Sequence, residues 1–89
     1  MAWRIEFAHS AERELAKLDP HTTTRILRFL RDRVAPLDNP RALAKPLKGS
    51  GSDTYWRFRV GDHRIVALIE DASVSILVVR VAHRREVYR

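Results

Sequence analysis

Arg57 and Arg59 stand two residues apart, Arg64 lies just past a Gly61-Asp62 pair, and Arg80 and Arg84 are four apart near the C-terminus. A guanidinium stays charged at any usable pH and grips phosphate through a planar fork. Two-residue spacing along a strand puts both side chains on one face. Like charges gathered on one sheet face repel unless an anion lies over them, so this spacing points to a phosphate-binding surface. Lone exposed arginines on strands are ordinary, and it is the grouping on adjacent strands that carries the reading. Other chemistry is scarce. His9, His21, His63 and His83 show no metal-ligand spacing, and no HExxH, P-loop or GxSxG motif occurs. The acidic residues do not pair as in a glycosidase or a two-metal nuclease. No metal and no other cofactor is expected. A catalyst with this inventory works with cations and a phenol or histidine. Such a site suits RNA, which brings its own nucleophile in the 2′-hydroxyl.

The elements that position these arginines follow from periodicity. Residues 2–7 alternate, with Trp3, Ile5 and Phe7 on one side of a half-buried strand. Ser10 is placed to cap a short helix with Ala11, Leu15 and Leu18 as its apolar stripe. Asp19-Pro20 ends that helix and opens a second, with Asp19 as N-cap. Thr23, Ile26, Leu27, Leu30 and Val34 share one face of the second helix; Arg25, Arg28 and Arg31 lie opposite, a solvated face on which Arg28 can pair with Asp32. Residues 35–44 read as a loop. Lys45 to Lys48 is placed as a short edge strand. Tyr55, Arg57 and Arg59 then alternate with Trp56, Phe58 and Val60, a tight turn at Gly61-Asp62 follows, and His63 to Ile69 returns. Val74 to Ala82 is the most apolar strand and belongs inside the sheet. The predicted fold is a small α+β domain in the order β-α-α-β-β-β, or with one strand more, its helical hairpin on one face of a mainly antiparallel sheet. Arg57, Arg59, Arg64, Arg80 and Arg84 would share the uncovered face.

Composition bounds the possibilities. The 89 residues predict one domain, 1–89, with a thin core, and the absence of cysteine excludes disulfides and thiolate metal sites. The net charge is +6, and 14 of the 17 basic residues are arginine. A coding bias would enrich arginine without function, so placement decides between the two readings. Charges at Arg4 and Glu6 argue against a signal peptide, and no apolar run reaches the ~20 residues of a membrane span. A cytoplasmic protein with no membrane partner is the expectation.

The -KPLKG- segment, -YWRFRVGDHRIV- and -ILVVRVAHRREVY- together resemble the RelE/ParE toxin superfamily, in its RelE branch. The resemblance covers nearly the whole chain. It implies a toxin that cleaves messenger RNA in the A site of the 70S ribosome and is held inactive by a small, acidic, helical antitoxin. Residue by residue, Arg57 and Arg59 take the places of two basic residues, often lysines, on the first hairpin strand. Arg64 matches the arginine on the scissile phosphate. Arg84 matches the arginine near the end of the last strand, with Arg85 its rival across a one-residue gap. Tyr88 matches the C-terminal tyrosine that stacks on a base or moves a proton. Lys45, Lys48, Arg80 and Arg85 complete the implied RNA-binding set. Arginine does not deprotonate near neutrality, so Arg57 and Arg59 are poor bases where relatives carry lysine. Tyr88 or a histidine then has to serve, His83 and His63 being the candidates, although alternation turns each away from its neighbouring arginine. Two other readings stand beside it: a ParE-like gyrase poison, which shares the fold but generally lacks an equivalent of the Arg57, Arg59, Arg64, Arg84 and Tyr88 set, and a non-catalytic RNA-binding module or inactivated toxin, which would use the same arginines.

Overall fold

The computed structural model describes residues 2–47 and 54–87 of the chain. Its strands are β1 (Arg4–Phe7), β2 (Ala44–Leu47), β3 (Tyr55–Val60), β4 (His63–Glu70) and β5 (Ser75–His83). Its helices are α1 (His9–Ala16), α2 (Pro20–Arg28) and the single turn α3 (Arg84–Val87). The sheet order is β1-β5-β4-β3-β2, antiparallel except where β1 runs parallel to β5. This is the predicted α+β architecture with the edge strand present as β2. Among the described residues no helix is long and apolar enough to cross a membrane.

The helical hairpin forms where the sequence signals it, with local differences. Asp19 accepts from Thr22 N at 3.1 Å, and Pro20 occupies the first turn, where its missing N–H costs nothing. Ser10 is not the cap of α1: Ala8 holds that position, and the Ser10 hydroxyl donates instead to Val79 O at 2.7 Å. The second helix is not α-helical to its end. It continues as a π-helical turn over Phe29–Val34, which keeps Ile26, Leu30 and Val34 inward and leaves Leu27 exposed. Asp32 pairs with Arg31 at 2.8 Å, the neighbouring residue, rather than with Arg28. The expected loop contains a 3-10 turn at Pro40–Leu43, capped by the Asn39 side chain on Arg41 N.

The main core lies between the helices and one face of the sheet. Phe58, Ile65, Ile76 and Val78 have no exposed surface there, as do Ile26 and Val34 above them. Trp56 packs at its margin under the Arg41 guanidinium, 5.5 Å from the ring centroid, and Arg41 is held by two bonds to Asp71 at 3.0 and 2.6 Å. A β-bulge breaks the simple alternation of β5. Val66 is opposite Arg80 and Ala67 opposite Val78, so Val79 is the extra residue. The extra residue lets Ile76, Val78 and Val81 all enter the core while Arg80 turns to the other face. That other face is not bare: Val66, Ala82 and Val87 form a second, smaller apolar cluster with Leu47, Tyr55 and Val79 at its rim.

Candidate functional site

Strand register builds the site as two transverse rows. Lys45 on β2 is opposite Arg57 on β3, Arg57 opposite Val66 on β4, and Val66 opposite Arg80 on β5. One row on, Arg59 faces Arg64 and Arg64 faces Ala82. Lys45, Arg57, Arg59 and Arg64 line a cleft of about 370 Å³, closed on one side by Ala42, Leu43 and Ala44. Among the described residues no carboxylate lines it.

Arg64 is the most constrained of the set. Only 9% of its surface is exposed, and its Nη1 donates to Gly61 O and His63 O, both at 3.1 Å. Among the described residues its Nε and Nη2 donate to nothing, so one nitrogen anchors the fork and the others serve the cleft. The Gly61-Asp62 turn also secures α3, since Arg84 N donates to Asp62 O at 2.8 Å. Gly61 has φ +57°, and a Cβ built there would lie 2.9 Å from Arg25 Nη1. The turn is therefore flanked by Arg64 on one face and Arg25 on the other. Sequence reasoning leaves Arg25 on a solvated helix face; a side-chain reach across elements carries no signal in periodicity.

The structure separates the remaining expected residues. β5 ends at His83, so Arg84 is not on the strand; it opens α3 and is exposed, as is Arg85. Arg80 stands in the cationic row but meets Glu14 Oε2 at 3.4 Å. His63 and His83 are register partners on the helix-covered side, with rings edge-to-face at 5.8 Å, facing away from Arg64 as alternation requires. Arg85 N donates to His83 Nδ1 at 3.3 Å, which puts the proton of a neutral ring on Nε2. Tyr88 and Lys48 lie outside the described residues. The arrangement provides one anchored guanidinium and three further cations around a concave space, a geometry that can neutralise a phosphate gaining charge.

Comparison with known proteins places the fold in a family. A family model described as "ParE toxin of type II toxin-antitoxin system, parDE" matches residues 5–88. Toxin RelG of Mycobacterium tuberculosis is 28% identical over 89 residues, spanning 100% of this chain and 99% of that protein. A chain of the RelBE2 toxin–antitoxin complex of M. tuberculosis superposes with a TM-score of 0.83 at 24% identity, covering 97% of this chain and 95% of that one. A double arginine-to-alanine mutant of Escherichia coli RelE in the free state gives 0.68 at 27% identity, over 99% and 92% of the two chains. With the match running from the first strand past the last helix, the chain belongs to the ParE toxin family and is a type II toxin of the RelE/ParE superfamily.

Proposed function

We propose that this toxin is a ribosome-dependent endoribonuclease that cleaves messenger RNA in the A site by attack of the 2′-hydroxyl on the adjacent phosphate. The carrying observation is the buried, half-anchored Arg64 fork among Lys45, Arg57 and Arg59. Preorganised cations stabilise the charge that develops on the phosphorane oxygens. A lining of this sign repels a divalent cation, which favours a metal-independent reaction. Arg64 holds the scissile phosphate; Arg57, Arg59 and Lys45 neutralise it; Arg84 and Arg85 on the exposed turn of α3 reach flanking phosphates. Tyr88 is the preferred base, because His63 and His83 stand on the opposite face from Arg64. Cations near a phenol favour the phenolate.

The restraining partner is a cognate antitoxin, as in the RelB-RelE complexes of related structures. A small acidic amphipathic protein that folds on this basic chain would neutralise it and raise its melting temperature by mass action. Inducing the chain alone in bacteria should arrest growth with messenger cut at A-site codons, read by primer extension on a translated reporter. Intact messenger beside damaged DNA would instead establish the ParE-like reading, poisoning of gyrase; the matching family model carries the ParE name.

A further inference from the structure

Past the end of β1 at Phe7, the outer edge of β5 loses its strand partner, and the last backbone link is Ala8 N to Val78 O at 2.8 Å. The next two outward groups on that edge are met by side chains of α1. Ser10 Oγ donates to Val79 O at 2.7 Å, and Glu14 Oε1 accepts from Val81 N at 2.9 Å. The spacing explains the fit: four helical residues rise ~6 Å, and two strand residues advance about 6.6 Å. Polar residues at i and i+4 of a helix can thus stand in for alternate rungs of a missing strand. The residues they grip, the bulged Val79 and Val81, flank Arg80, which the bulge turns onto the cationic face. Glu14 Oε2 also reaches Arg80 Nη2 at 3.4 Å.

We infer that Glu14, supported by Ser10, is a positioning residue for the phosphate-binding face, clasping the bulged register of β5 so that Arg80 stays in the row of Lys45 and Arg57. For its functional half this rests on the proposed RNA reading; the clasp does not. The Glu14–Arg80 ion pair is long and its arginine 42% exposed, so it contributes little by itself. The bond to Val81 N matters more, because an edge amide left unpaired beside a bulge invites the one-residue slip that reverses every side chain beyond it. Slipped, β5 would turn Arg80 toward the helices. Clasped, Arg80 is presented with a carboxylate that an RNA phosphate can displace.

The test compares Glu14→Gln with Glu14→Ala in the full chain. It reads amide exchange at Val81, binding of a single-stranded oligoribonucleotide against salt, and cleavage on programmed ribosomes. Glutamine keeps an acceptor for Val81 N, so protection should persist and cleavage stay within about threefold of the parent. Alanine should speed Val81 exchange at least roughly tenfold, lower cleavage to a similar degree, and reduce the salt slope of RNA binding by about one. If Glu14→Ala does not fold, Ser10→Ala, which removes only the bond to Val79, should loosen the same amides by a smaller factor. Val81 staying protected without Glu14 or Ser10 overturns the clasp. Rapid Val81 exchange with unchanged RNA binding and salt slope overturns the positioning role. A parent protein that neither binds nor cleaves RNA defeats the proposed function and the positioning role with it, while Val81 exchange still decides the clasp.

Discussion

The two faces of the sheet solve opposite problems with the same five strands. On the helix side, Phe58, Ile65, Ile76 and Val78 are sealed, and substituting any of them touches a single close-packed cluster. On the other side, Arg57, Arg59 and Arg64 are held close together with only a small apolar cluster beside them. The first face supplies stability through apolar burial. The second sacrifices some of it, because like charges brought close on one face repel one another. On the proposed function, fold and activity are thus separable by face, except at Arg64, which is buried on the cationic side and bonded to the turn.

That separation can be broken in a graded way. The largest effect is expected from Phe58→Ala, which removes a fully buried ring and should cost ~3–5 kcal/mol of stability, read as a drop of roughly 12 °C or more in melting temperature. Arg64→Ala should instead cut single-turnover cleavage by roughly 10²–10³, about 3–4 kcal/mol, while destabilising the fold by only ~1 kcal/mol through the two carbonyls it leaves unpaired. Arg64→Lys should recover the fold better than the activity, since an ammonium cannot divide itself between turn and cleft as a fork does. If cleavage and melting temperature fall in parallel across these variants, the faces are not separable.

Smaller effects sharpen the contrast. Gly61→Ala places a Cβ at a positive φ beside Arg25, and a loss of ~1 kcal/mol in chemical denaturation is expected, with a larger proportional loss of cleavage because the same turn carries Arg64. Lys45→Ala should leave melting unchanged and lower the salt slope of RNA binding by about one. The smallest effect is in acid. The Thr22 hydroxyl and amide hold the Asp19 carboxyl below its usual value of 3.8, and bonds to Arg31 and Arg41 do the same for Asp32 and Asp71. Depressed carboxyls stabilise fully above that value and lose the contribution as pH falls through their lower folded values. Melting temperature should therefore hold from neutrality to about pH 4 and decline below it, modestly, since all three groups are exposed.

Much of this was legible in residue patterns because the patterns are local. Alternation over YWRFRV assigns Phe58 inward and Arg59 outward, and Asp19-Pro20 marks a helix start that the structure reproduces. An equivalent cap-and-proline signal at Asn39-Pro40 marks the 3-10 turn that closes one side of the cleft, though a short segment rich in proline reads first as loop. The bulge escaped because its neighbours are uniformly apolar: in ILVV no polar residue marks where the inward set changes parity. Ser10 misled because a serine at a helix start satisfies a local rule, whereas its hydroxyl serves a strand 69 residues away. Arg84's place off the strand escaped for a similar reason, the turn carbonyl of Asp62 being what captures it.

The parallel pairing of β1 with β5 also has a bearing on how the protein is made. Arg4 is matched to Ser75 and Phe7 to Val78, so the first strand to leave the ribosome waits for the last before it has anywhere to add. Pairings this distant in sequence close late and slow folding. Until β5 emerges, Trp3, Ile5 and Phe7 have no sheet beside them, and the helical hairpin lacks most of the surface it covers. The nascent chain is thus expected to be sticky until β5 emerges, its sheet and its resistance to aggregation completing together.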